Sequence, residues 1–149
     1  MGVYSRFKKN PEGFRALVEL LEATPMSRRQ KMIDIGMAED PEYTQKALQY
    51  IFNFRDIIAL PDVELAEVVA KSPARSLAYA LYTQAEDVRQ KFLRNAQPPL
   101  AAEVKDLLAI PVGARESGGA QIKIITIARE LEKKGLVRTK QIPFALEET

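Results

Sequence analysis

The sequence predicts an all-α protein, and three observations carry that reading. Apolar residues recur at the three- and four-residue spacing of a helix face in segment after segment, beginning with Phe14, Leu17, Val18 and Leu21. The segments are punctuated by a repeated start signal at proline, in Asn10-Pro11, Asp40-Pro41, Leu60-Pro61-Asp62, Ser72-Pro73 and Gln97-Pro98-Pro99. With 46% hydrophobic and 28% charged residues, a chain of 149 residues has a globular composition and can bury a sizeable core. That length suits one ordinary domain or two small helical units.

Taken in order, residues 1–10 form a basic N-terminal segment carrying Arg6, Lys8 and Lys9, and Asn10-Pro11 then opens a helix to about Ala23. Thr24-Pro25 ends it. Ser27 and Gln30 have the spacing of a capping box for a second helix, with Met32, Ile33 and Met37 inward and Gly36 admitting a close neighbour or a weak turn. Asp40-Pro41 starts a third, running to about Phe52 with Tyr43, Ala47, Leu48, Ile51 and Phe52 inward. Three helices on short loops resemble one armadillo-type unit, spanning 11–52, which cannot bury its faces alone. No second copy of the pattern follows, so a long solenoid is excluded.

The stretch Ile51 to Asp56 is the joint of the chain, where one helical pattern stops and another begins. Past it, a helix from Pro61 to about Lys71 buries Leu65, Val68 and Val69, and the next packs Leu77, Ala80 and Leu81. Glu86 and Asp87 begin a helix that ends in Lys91 and Arg94, a charge order favoured by the helix dipole, with Val88, Phe92 and Leu93 inward. Gln97-Pro98-Pro99 starts a helix carrying Leu100, Val104, Leu107 and Leu108 inward and leaving Glu103, Lys105 and Asp106 to solvent. After the Pro111-Val112-Gly113 loop, a long central helix from about Glu116 to Lys134 buries Ile122, Ile125 and Leu131, with Ile124 and Ile127 at its sides, and stops at Gly135. Residues 138–149 are expected to be a flexible tail.

Composition removes several function classes. There is no cysteine and no histidine, so a thiol nucleophile, a disulfide framework, a zinc site and a Ser-His-Asp triad are all excluded. Twenty-two basic and 20 acidic residues are interleaved, a poor footprint for nucleic acid. No window reaches the length and apolarity of a membrane span, and the basic start leads into no secretory h-region. Gly2 with Ser5 fits a myristoylation pattern only in part. Arg28, Arg29 and Lys31 read as surface charge and capping support, or with Arg6, Lys8 and Lys9 as a modest basic patch toward an acidic partner or anionic membrane. Carboxylate pairs such as Glu39-Asp40 are explained by the helix dipole without any catalytic role. No catalytic residue, cofactor site or metal site is expected.

From Phe14 to Val137 the chain resembles the C-terminal half of the FliG flagellar motor switch family. Ile51-Phe52-Asn53-Phe54-Arg55-Asp56-Ile57 sits where that family has a Met-Phe-x-Phe hinge and an acidic segment, and Pro61-Asp62-Val63 where it has Asp-Asp-Arg. Lys91-Phe92-Leu93-Arg94-Asn95 matches a helix end, Pro111-Val112 a Gly-Pro-Val loop, and Gln121 to Gly135 a closing helix ending Arg-x-Leu-x-x-x-Gly. The resemblance implies an armadillo-like unit over 11–52 and a compact helical bundle over 53–137, with right-handed superhelical packing. Ile51, Phe52, Asn53 and Phe54 would then be a hinge, and Glu103, Lys105 and Asp106 a partner-binding surface. The family's five torque-surface charges fall on Tyr82, Pro99, Asp106, Leu107 and Gly113, of which only Asp106 keeps its charge.

The resemblance implies a non-enzymatic rotor or switch module acting in motility. It would be cytoplasmic, at the cytoplasmic face of the membrane or the basal body, with at most peripheral membrane association. Its partners would be flagellar switch or stator components, or another copy of itself through the N-terminal unit. The alternative is a scaffold or regulatory adaptor outside the motor, suggested by the lost charges. A carboxylate-based enzyme is a third reading. The methionine start and basic lead-in suit a stand-alone paralogue more than a fragment. Without the resemblance, Phe52 and Phe54 read as core aromatics at a helix end.

Overall fold

A computed structural model describes residues 3–143, which form ten helices and no strand. The chain divides into two compact units, residues 1–52 with 140–149 and residues 53–139. The all-α class read from the sequence is the class the structure has.

The first unit holds α1 (Val3–Lys9), α2 (Gly13–Ala23), α3 (Met26–Glu39) and α4 (Pro41–Tyr50). Residues 3–9 of the basic segment are thus helical, and α1 carries Arg6, Lys8 and Lys9 in its last turn, where they suit the dipole. The segment is also part of the core: Tyr4 is buried and its hydroxyl donates to the Met32 carbonyl at 2.7 Å. Gly36 is the close approach that permits this, because a Cβ there would lie 2.4 Å from the Tyr4 ring. The start signal at Asn10-Pro11 shapes the turn between α1 and α2, where the Asn10 side-chain oxygen accepts from the Glu12 amide at 3.0 Å. The helix itself begins two residues after Pro11.

Three readings of this unit need correction. The α3 helix begins at Met26 behind Pro25, so Ser27 does not cap it. Arg29 is not surface charge but is 5% exposed, its guanidinium donating to the carbonyls of Thr24 at 3.3 Å and Glu22 at 3.1 Å and so closing the end of α2. Arg28 and Lys31 are exposed as expected. Met37 points out, 36% exposed, while Met32 and Ile33 pack on the core from its edge. The cap at Asp40 does act as read, its carboxylate accepting from the Tyr43 amide at 3.2 Å. The core is Tyr4, Phe14, Leu17, Val18, Leu21, Tyr43, Ala47, Ile51 and Ile142.

The second unit holds α5 (Phe54–Ile58), α6 (Asp62–Lys71), α7 (Ala74–Leu81), α8 (Glu86–Arg94), α9 (Pro98–Leu108) and α10 (Ala114–Lys133). The α10 helix packs on α5, α6 and α7, and α7 in turn on α9, which makes α10 central as the sequence predicts. Its buried stripe is Ala120, Ile124, Ile125, Ala128 and Leu131, so Ile124 lies inward and Ile122 at the half-buried edge, the reverse of the expectation. The stripe turns this way because it also buries Arg129 and Glu132, which pair at 3.1 Å with only 2% and 3% of their side chains exposed. A buried pair of this kind holds a helix register, since exposing one partner alone is costly.

Gly135 ends α10 with a φ of +79°, and the Leu136 amide turns back to the Leu131 carbonyl at 2.9 Å. Val137 is fully buried. The stretch read as a flexible tail is held as far as Ile142. Glu64 accepts from the Arg138 and Thr139 amides and the Thr139 hydroxyl, and Ile142 joins the first unit's core. Gly2 and residues 144–149 lie outside the described residues.

Candidate functional site

The joint is built from the end of α4 and the start of α5. Helix α4 stops at Tyr50 and Ile51 is extended, with φ −65° and ψ 127°. Phe52 is fully buried, Asn53 is exposed, and Phe54 is 8% exposed. The joint therefore carries one aromatic anchor on each side of the unit boundary, with a solvent-facing asparagine between them. Phe54 stacks on Phe92 of α8 at 5.8 Å between centroids and 23° between planes. Asn53 starts α5, its amide donating to the Asp56 carboxylate at 2.7 Å while the Asp56 amide returns to the Asn53 carbonyl at 2.9 Å.

A single peptide group in this joint is gripped from both ends. The Phe52 amide donates to Glu22 Oε2 at 2.8 Å, and the Ile51 carbonyl accepts from Lys140 Nζ at 2.7 Å. Both atoms belong to the Ile51–Phe52 peptide. A carboxylate on its N–H and an ammonium on its C=O oppose the peptide dipole at each end, in the favourable sense. Glu22 is 3% exposed, and Arg29 beside it has its pKa lowered by burial, an effect that Glu22 partly offsets.

Neither Glu22 nor Lys140 stood out in the sequence. Glu22 had a signal: it falls eight residues after Phe14, on the apolar face of α2, where a carboxylate is out of place unless bonded. Lys140 had none, because its partner lies 89 residues away.

The second predicted group, Glu103, Lys105 and Asp106, lies on α9, and all three are exposed. Val104 is the helix's buried anchor, and Leu100, Leu107 and Leu108 are half-buried. Among the described residues the three charged side chains engage no other side chain. The positions equivalent to the family's lost charges differ in setting. Tyr82 is half-buried, with the Arg89 guanidinium 6.0 Å from its ring centroid, while Pro99 and Gly113 are exposed. Joint and α9 are separate groups of residues with different chemistry.

Among the described residues no cluster of carboxylates suits a metal ion, and no helix is long and apolar enough to cross a membrane. A surface depression of about 380 Å³ is lined by Pro61, Val63, Glu64, Glu67, Gly135, Leu136 and Arg138. Its Glu64 is committed to the Arg138 and Thr139 donors at 2.9 to 3.3 Å, which makes it a structural acceptor.

Comparison with known proteins agrees with this architecture. The family model for the FliG C-terminal domain matches residues 37–138. The flagellar motor switch protein FliG of Thermotoga maritima is 30% identical over 136 residues, which is 90% of this chain and 41% of that protein. The FliG of Aquifex aeolicus is 29% identical over 128 residues, 85% of this chain and 39% of that protein. The chain thus spans about two fifths of the length of these relatives. Among solved structures, residues 86–343 of Helicobacter pylori FliG share the fold with a TM-score of 0.64 at 24% identity, covering 85% of this chain and 60% of that one. Full-length Aquifex aeolicus FliG aligns with a TM-score of 0.54 at 29% identity, covering 83% of this chain and 39% of that one. The match to the family model covers the joint, α9 and the central helix together, and the chain belongs to the FliG C-terminal domain family.

Proposed function

We propose that this protein is a non-enzymatic interaction module of the flagellar motor switch. The observation that carries the reading is the family match running unbroken from the end of α3 through α10, over both the joint and the exposed helix α9. In this reading Ile51, Phe52, Asn53 and Phe54 are the hinge between a unit that associates with neighbouring subunits and a unit that presents α9. Glu103, Lys105 and Asp106 are its contact surface for a partner, a stator or switch component, at the cytoplasmic face of the membrane or the basal body. The work done is mechanical: a charged helix face meets a complementary partner, and the hinge sets the orientation in which it does so. Free, solvated charges on a rigid helix supply steering and register more than raw affinity.

The test combines genetics and binding. Deleting the gene abolishes or alters swimming, and the tagged protein co-purifies with switch or stator components. Glu103→Arg and Asp106→Arg leave the fold intact and weaken that partner binding several-fold, mainly through slower association and more strongly at low salt. Normal swimming after deletion, with a pulldown that returns only non-motor proteins, overturns the motor reading in favour of an adaptor outside it. The replaced charges at Tyr82, Pro99, Leu107 and Gly113 make that the specific competing outcome.

A further inference from the structure

The chain passes between its two units twice. The first crossing is at Phe52–Asn53 and the second at Thr139–Lys140, because the first unit takes back the residues that follow Thr139. Both sides of the second crossing are anchored. On one side, Glu64 Oε1 receives the Arg138 amide at 3.2 Å, the Thr139 amide at 3.3 Å and the Thr139 hydroxyl at 2.9 Å. On the other, Lys140 Nζ donates to the Ile51 carbonyl at 2.7 Å, an Arg15 amino group lies 3.5 Å from the Ile142 carbonyl, and the Ile142 side chain is 6% exposed. One peptide bond separates the two sets of anchors, so the crossing has no slack. Lys140 itself is held at a φ of +53°, a left-handed conformation that a lysine adopts only when its surroundings impose it.

Two bodies joined by one extended chain can swivel about several backbone torsions. Joined at two short crossings, they keep chiefly the rotation about the line through both. The lysine of the second crossing also grips the carbonyl of Ile51, the residue before the first, so the two crossings are fastened to each other within the first unit.

We propose that Arg138 to Ile142 is a strap that turns the joint from a free swivel into a one-axis hinge. It is released when Ile142 leaves its socket and Lys140 lets go of Ile51. The inference rests on the hinge reading of Ile51 to Phe54 and adds the element that restrains it. The strap's sequence is short and specific: an ammonium to reach one carbonyl, and one branched apolar side chain to take its place in the first unit's core.

Because the protein has no cysteine, two introduced ones label it uniquely. Gln45→Cys and Lys123→Cys, both exposed and one in each unit, carry spin labels for a distance-distribution measurement. Lys140→Met and Ile142→Ala are each made in that background, with helicity followed by circular dichroism. The strap predicts that both variants keep their helicity and widen the distribution about twofold, Ile142→Ala more than Lys140→Met. A distribution of unchanged width overturns it, and so does loss of helicity in both variants, which would make the segment core and not a strap. A two-glycine insertion after Phe52 separates this from the hinge reading. If the insertion widens the distribution and the strap variants do not, the strap falls and the hinge stands. If nothing widens it, including the insertion combined with Ile142→Ala, both fall.

Discussion

Replacing Tyr43 by phenylalanine removes one oxygen from the core of the first unit, and the structure says that the core is better without it. Tyr43 is 3% exposed, and its ring sits edge-on to Phe14 at 5.6 Å with Lys8 Nζ 5.7 Å from its centroid, contacts that phenylalanine keeps. Its hydroxyl is buried with no hydrogen-bond partner among the described residues. Losing an unsatisfied buried hydroxyl should stabilise by about 1 kcal/mol at neutral pH. The difference should grow with pH. Burial first, and Asp40 second, push the Tyr43 hydroxyl from 10.0 up to about 12.

A folded-state value above the unfolded one gives stability that is complete below pH 10 and lost as pH rises from 10 towards 12. At pH 11, one unit above the unfolded value, the wild type has lost about 1.4 kcal/mol that Tyr43→Phe never had to lose. The gap between the two proteins should therefore widen from about 1 to about 2.5 kcal/mol between pH 7 and 11. Urea unfolding followed by circular dichroism across that range measures it. Tyr4 is the control of opposite sign: its hydroxyl is bonded to the Met32 carbonyl, so Tyr4→Phe should cost about 1 kcal/mol. A Tyr43→Phe protein that is less stable than wild type at pH 7, or a gap that stays constant to pH 11, refutes the reasoning.

Other outcomes follow from the same geometry. Phe54→Ala should cost about 3–5 kcal/mol by leaving a cavity, and a double-mutant cycle with Phe92→Ala should return a coupling of about 0.5–1.5 kcal/mol for the stack, read from urea midpoints. Asp40 is held below its ordinary 3.8, first by its hydrogen bond from Lys8 and then by the Tyr43 amide. Its contribution is therefore full above about pH 4 and fades as pH falls through the lower folded value, and Asp40→Asn should flatten that acid limb while keeping much of the cap. Gly118 and Gly119 lie inside α10 with open space where a Cβ would go. Each Gly→Ala change should raise stability by about 0.5–1 kcal/mol, and a fall in the thermal midpoint would show that a contact has been missed.

Helices of more than two turns were legible because their evidence is local and repeated. Asp40-Pro41 states both a cap and a fixed φ, and α4 starts there. Helices α1 and α5 were not read, since seven and five residues are too few for a period to establish itself. Ser27 misled because the capping-box spacing also occurs by chance within a helix already begun at Met26. Arg29 misled because charge predicts exposure only where no carbonyl waits inside; here the end of α2 supplies two. At the joint, the two units divide after Phe52, inside the apolar cluster, and nothing local revealed the side chains that grip it. Glu22 and Lys140 reach it across 30 and 89 residues. The α9 charges were readable as exposed from helical spacing alone, while the use made of them belongs to a partner.

The interrupted course of the first unit also bears on the order in which the protein folds. Its helices α1 to α4 are contiguous, but Ile142, a member of its core, is separated from the Arg15 that meets it by 127 residues. Closing so long a loop in an unfolded chain is entropically unfavourable, and the penalty falls by about 0.6 kcal/mol with each halving of the loop. The intervening unit, residues 53–139, is contiguous and can fold from its own local contacts. Once it has done so, its ends are fixed and the loop that remains to be closed is a fraction of its former length. Each unit thereby stabilises the other through chain connectivity alone, and a mutation in the middle of the sequence should register as weakened protection of backbone amides near the amino terminus.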